Sequence, residues 1–219
     1  MISEYLEFRR LGRDLTKLIV ETVTKHELES AAYSMRIMHK GVMVFDCEEE
    51  SYGLMDRIVF DLRRGERNIV SDFYLSRSPK KFSADERRVL EAMMKARFSL
   101  FQVEEVDRQD SVVFLRDLIN QTGPLKLIDI NFSATCDIGS LLATRLVPFG
   151  DWCMTTGISY PFRARQVEEL LRGLKRRVIG SAKKKFRIIP PEDFSCYFFL
   201  QHKAISDVEM RYEEVLPEK

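Results

Sequence analysis

On either side of residues 98–162 the apolar positions of this chain recur at three- and four-residue intervals; inside that stretch they come in short runs split by turn residues. Over residues 3–28, Tyr5, Phe8, Leu11, Leu15, Leu18 and Ile19 share one helical face, with Glu4, Glu7, Arg9, Arg13 and Lys17 between them. A second helical piece is expected over 30–39 and stops at Gly41, and Val42–Phe45 reads as a short strand or buried turn. Glu48-Glu49-Glu50 reads as a solvated helix start, and Leu54, Ile58, Val59 and Leu62 continue that helix over 51–64, with Gly65 suited to its C′ position. A short helix over 66–76 ends at Ser78-Pro79. Ser83 and Glu86 then form a capping box ahead of Val89, Leu90, Met93 and Met94.

The pattern changes after Ala96. Leu100–Val106 and Val112–Leu118 flank Asp107–Asp110 and predict a hairpin. Strands are expected at Leu125–Ile130, Leu141–Val147 and Trp152–Ile158, with turns at Asn120–Pro124 and Pro148–Asp151. About 65 residues that reverse this often are most simply a small antiparallel barrel or a curled sheet. Trp152, the single tryptophan, reads as a core or rim anchor of that barrel, with base stacking the lesser reading. Beyond Pro161, Val167, Leu170, Leu171, Leu174 and Val178 predict one helix over 163–187, weakened by Gly173 and Gly180. A last helix over about 191–206 carries Phe194, Tyr197, Phe198 and His202, and the acidic tail 207–219 suits an added edge strand. No internal repeat shows in the sequence. The expectation is an α+β chain: N-terminal helices over 1–97, a small barrel over 98–162, and C-terminal helices over 163–219, all able to form one unit.

Composition narrows the function classes. The 219 residues suffice for a proper core, and 45% hydrophobic with 32% charged residues is ordinary for a folded chain. The net charge of +1 names no partner. Apolar runs are too short to span a bilayer and residues 1–10 lack the apolar core of a signal peptide, so the expectation is a cytoplasmic protein without a membrane partner. Cys47, Cys136, Cys153 and Cys196 form no CxxC pair and have no histidine at ligand spacing, which leaves reduced thiols and no metal. Phosphate-loop, dinucleotide, zincin and hydrolase motifs are lacking, so no catalytic residue and no cofactor is expected.

Two constellations remain. Arg116, Asp117, Asp129 and Arg145 place charge in predicted strands. If Arg145 points inward, Asp117 or Asp129 is its natural partner, because an unpaired buried charge costs several kcal/mol. That set reads as a register-fixing salt bridge or, alternatively, as an enzyme site assembled across segments. The second constellation is the segment 163–187, with ten basic residues against two acidic ones, a local balance of +8. Arg172, Lys175, Arg176, Arg177, Lys183, Lys184 and Lys185 are its candidate anion-binding residues. Nucleic acid or an acidic protein are the partners such a face would take; the alternative is a protein-interaction or accessory subunit acting through apolar helix faces, with a homo-oligomer among its forms.

The phrases ERRVLEAMMKARFSLFQVEEV, VVFLRDL and IGSLLATRLVPFGDW, through Ser99–Val103, Arg116–Leu118 and Gly139–Pro148, resemble a group of uncharacterised bacterial and archaeal proteins, some of which end in a SEC-C zinc motif. The resemblance covers about 80 residues. It implies a helix–barrel–helix order and no settled activity. The SEC-C cysteine cluster is missing here, so no zinc role is carried over.

Overall fold

Capping chemistry divides the N-terminal helices. In a computed structural model, which describes residues 1–177 and 186–205, the helix expected over 3–28 is two. The first, α1 (Ile2–Val20), buries Tyr5, Phe8, Leu11, Leu15 and Ile19. The second, α2 (Lys25–Ser34), starts at a capping box: the Thr24 hydroxyl accepts from the Glu27 amide, and the Glu27 carboxylate accepts from the Thr24 amide at 2.8 Å. A two-residue hairpin follows, β1 (Met38–His39) and β2 (Val42–Met43). Its loop residues Lys40 and Gly41 both take positive φ, 50° and 82°, which suits the right-handed twist of a tight hairpin. Helix α3 (Glu48–Phe60) begins at the acidic run, but Glu50 is buried and its carboxylate takes Lys203 Nζ at 2.5 Å, so that part of the run is not solvated.

The helix expected over 51–64 ends at Phe60, and Gly65 turns a second hairpin, β3 (Arg63–Arg64) and β4 (Arg67–Asn68), with φ 67°. Asn68 then caps α4 (Ile69–Leu75) by accepting from Ser71 N at 3.0 Å. The capping box at Ser83 starts α5 (Ala84–Met94) as the sequence predicts.

The chain then builds the barrel: β5 (Arg97–Asp107), β6 (Val112–Asp117), β7 (Thr122–Ile128), α6 (Ile130–Thr135), β8 (Leu141–Phe149) and β9 (Trp152–Phe162). The barrel is closed in the order β5-β6-β7-β9-β8. Every pairing is antiparallel except β7 with β9, which is parallel at Leu127↔Cys153. A five-stranded barrel with this order, and a helix between its third and fourth strands, has the connectivity of the OB-fold. Phe101, Val103, Val113, Leu115, Leu127, Leu146 and Cys153, from all five strands, fill the interior, and Phe132 and Cys136 of the α6 region pack against them. Burial pushes the Cys153 thiol up to about 12 and Cys136 to about 11, as for inert core thiols.

Period-2 alternation sends the other residues outward into two clusters. On one side α1, α4 and α5 cover Val112, Ile128, Val147, Trp152 and Met154; Trp152 stacks on Phe149 with centroids 4.9 Å apart, the core anchor expected of it. On the other, α2, α3 and the last helix cover Phe98, Leu100, Ala143, Ile158 and Tyr160.

The segment after β9 is not the single helix expected over 163–187. Helix α7 (Val167–Gly173) is two turns long; strands β10 (Lys175–Arg177) and β11 (Phe186–Ile188) then pair antiparallel, with Arg176 opposite Arg187. The apolar spacing that suggested a helix stops serving one at Leu174, where the chain leaves the helix and enters the strand. Helix α8 (Phe194–Ile205) matches its expectation, and the edge strand expected over 207–219 lies outside the described residues.

Three helix–hairpin–helix units thus recur, a repeat the sequence reading misses. In each, a buried or half-buried aliphatic residue after the helix accepts, through its carbonyl, the amide of the residue that leaves the hairpin. The pairs are Val44 N to Ile37 O (2.9 Å), Ile69 N to Leu62 O (3.2 Å) and Ile189 N to Leu174 O (2.9 Å).

Candidate functional site

Strand β8 runs along the seam between the two outer clusters: Leu141 and Ala143 belong to one and Val147 to the other. Arg145 lies between them, only 3% exposed. A guanidinium out of water must find acceptors, and α3 supplies them. Arg145 Nε donates to Asp56 Oδ2 at 3.0 Å, and Nη2 donates to both oxygens of Asp61 at 2.8 Å. Each acid has a further donor: Thr156 Oγ1 to Asp56 Oδ1 at 2.6 Å, and Ser195 Oγ of α8 to Asp61 Oδ2. The cation also lies over the Phe60 and Phe98 rings, 4.7 and 5.4 Å from their centroids.

One buried cation facing two buried acids leaves an excess negative charge. Burial, aided by the neighbouring Asp56 charge, pushes the Asp61 carboxyl up to about 6 even though Arg145 and Ser195 pull it down. The network is closed to solvent. Its chemistry is cohesion: it ties α3, β8, β9 and α8 into one piece.

Arg145 is therefore paired as its burial demands, but with neither acid named from the sequence. Asp117 faces the barrel interior, opposite Phe101 in register, where it accepts from Ser99 Oγ at 2.6 Å and from the amides of Ile119 and Asn120 at 2.9 Å. Asp129 caps α6, accepting from Phe132 N at 3.0 Å. Arg116 is exposed and pairs with Glu104 at 2.5 Å. The four residues do not converge, and the assembled enzyme site is set aside. Asp56, Asp61 and Ser195 had no signal in the sequence: they lie 89, 84 and 50 residues from Arg145, and Asp56 lies in, and Asp61 just after, a helix whose apolar spacing reads as ordinary core.

Of the basic segment, Arg172 and Lys175 are exposed. Arg176 and Arg177 belong to β10, and Lys183, Lys184 and Lys185 lie outside the described residues. The outward face of β6–β7 adds Arg116, with half-buried Phe114 and Lys126 opposite each other in register. Among the described residues no group of three or more His, Cys, Asp and Glu is placed to hold a metal ion, and no helix is long and apolar enough to cross a membrane.

No curated protein and no solved structure matches the chain. One family does, in keeping with the resemblance to uncharacterised proteins: residues 1–203, from α1 to near the end of α8, match DUF7986, a family of unknown function, and the chain belongs to it.

Proposed function

We propose that this chain is a non-enzymatic binding module for a polyanion, nucleic acid first among the candidates, with its contact surface on the segment that follows β9. The observation that carries this reading is charge: ten basic residues against two acidic ones over 163–187, in a chain whose total is +1. The described part of that segment supports it, because Arg163, Arg165, Arg172 and Lys175 are all exposed. A run of basic residues can follow a phosphate backbone, and a barrel of OB-fold connectivity is, by analogy of fold, a common platform for such contacts.

The test is fluorescence anisotropy with labelled single- and double-stranded DNA and RNA from 20 to 300 mM salt. Affinity should fall steeply with salt, each phosphate contact adding about 0.7–0.9 to the log–log slope. Replacing Lys183, Lys184 and Lys185 with alanine should flatten that slope by roughly two to three. No binding to any of the four probes at the lowest salt sinks the proposal; binding to an acidic polypeptide instead would move it to a protein partner.

A second reading rests on Val42, Val44 and Phe45 of the first hairpin, 63%, 50% and 39% exposed. Consecutive apolar exposure of this kind suits self-association. Light scattering across concentration checks it: a dimer that Val42→Lys dissociates supports the reading, and a monomer at every concentration removes it.

A further inference from the structure

The end of α2, residue Arg57 of α3 and the outer side of α8 enclose a groove of about 460 Å³, within the size range of small-molecule sites. Two of its wall groups already have acceptors: Cys196 Sγ donates to Ser34 O at 3.2 Å, and Tyr197 OH to Leu170 O at 2.8 Å. Three others have donors to spare. Arg57 gives Nε to Ser34 Oγ at 2.9 Å, Nη1 to Glu192 O at 3.1 Å and Nη2 to Asp193 Oδ1 at 3.5 Å, which leaves two of its five N–H groups without an acceptor among the described residues. The side chains of Arg36 and Gln201 make no hydrogen bond or ion pair among the described residues. Arg36 also holds φ at +58°, a conformation that glycine adopts freely and a long side chain does not. A strained cation without a partner, beside a second with open donors, is a place where a ligand can supply what the fold does not.

We propose that this groove binds a small organic acid, with its carboxylate or phosphate on Arg36 and Arg57, its head also within reach of Gln201, and its carbon chain along Leu200 and Ala204. Carboxylate and phosphate oxygens fit guanidinium donors pairwise, and half-buried Leu200 with exposed Ala204 on the outer side of α8 gives the chain an apolar wall. Asp193 at the rim lends Arg57 a long, weak contact that an incoming oxyanion replaces.

The test titrates the full chain with sodium hexanoate, hexyl phosphate and inorganic phosphate, read by amide chemical shifts or calorimetry. The expected result is saturable binding of hexanoate or hexyl phosphate, with inorganic phosphate at least about tenfold weaker. Arg36→Gly should lower affinity about tenfold or more while its thermal midpoint stays level or rises, since glycine relieves the backbone. Arg57 is left intact because it also ties α3 to the end of α2 and to the turn that leads into α8. The Lys183, Lys184 and Lys185 alanine variant should bind the acids as the parent does, which separates this groove from the polyanion surface. No saturation with any probe, an unchanged affinity in Arg36→Gly, or inorganic phosphate binding as tightly as hexyl phosphate overturns the proposal.

Discussion

The first two hairpins close with the same backbone hydrogen bond in opposite surroundings. Ile37 and Leu62 occupy equivalent places, so Arg36 and Asp61 are equivalent too. Asp61 is buried and bonded to Arg145 and Ser195. Arg36 is exposed, holds a strained backbone, and its side chain has no partner among the described residues. The strands differ likewise. In the second hairpin Arg64 gives Nε to Glu27 Oε1 at 2.7 Å, Nη1 to Asp72 at 3.0 Å and Nη2 to Thr22 O at 2.8 Å. The first exposes Val42 to solvent. One hairpin spends its polar groups on cohesion; the other keeps them available. The difference teaches that a repeated element can be structural in one copy and a site of recognition in the next, and that hydrogen-bond satisfaction tells the two apart.

The comparison breaks most visibly at the locked end. Arg145→Met should cost about 3–5 kcal/mol, because it leaves Asp56 and Asp61 buried without their cation. Arg145→Met combined with Asp61→Leu and Asp56→Leu should recover much of that loss in urea denaturation, since the charges leave together. The same acid gives the locked hairpin a pH signature. With Asp61 at about 6 in the folded chain and near 3.8 when unfolded, the folded state holds the extra proton between those values. Stability from this group is therefore greatest below about pH 4 and falls as pH rises through 6. Urea midpoints compared between parent and Asp61→Asn should show the parent losing on the order of 2–3 kcal/mol over that window relative to the variant. Parallel profiles would remove Asp61 as the titrating group.

Smaller effects sharpen the contrast. Arg64→Ala should lose about 1 kcal/mol, reduced by salt, because its pairs are part-exposed. The Arg64 hydrogen bond holds the Glu27 carboxyl at about 2, below its ordinary 4.5. That contribution is present above about 4.5 and fades as pH falls toward 2, and the fading should shrink in Arg64→Ala, where the Thr24 amide and hydroxyl still hold the carboxylate. Arg36→Gly should be neutral or gain up to about 1 kcal/mol. A loss there as large as at Arg64 would mean that the two hairpins are not as different as the hydrogen bonds say.

The repeat was hard to read because two-residue strands carry no periodicity. The signal that could have found it is the aliphatic pair at seven-residue spacing around a glycine, Ile37…Val44 around Gly41 and Leu62…Ile69 around Gly65. Local chemistry was legible: the Ser83 capping box and the hairpin at Asp107–Asp110 are written in adjacent residues, whereas the turn expected at Asn120–Pro124 falls at residues 118–121, with Thr122–Pro124 already in β7. Long-range pairing was not. Nothing near Arg145 names Asp56 or Asp61, while Asp117 and Asp129, the nearer acids, are absorbed by turns and caps of their own strands. The basic segment misled for a third reason: its leucines satisfy a helix up to Gly173, and the strand pairing that takes over at Lys175 depends on a partner strand beginning at Phe186.

The seam at Arg145 also fixes what can be cut from this protein. The barrel strands carry a cation whose counter-charges are encoded before residue 62 and whose supporting hydroxyl is encoded at Ser195. A fragment of residues 98–162 keeps every strand and the interior packing, yet inherits a charge with nothing to answer it and two bare apolar flanks. The barrel is thus not a portable cassette: grafting or expressing it alone calls for a neutral residue at position 145, whereas the intact chain uses that same residue to hold its two ends together.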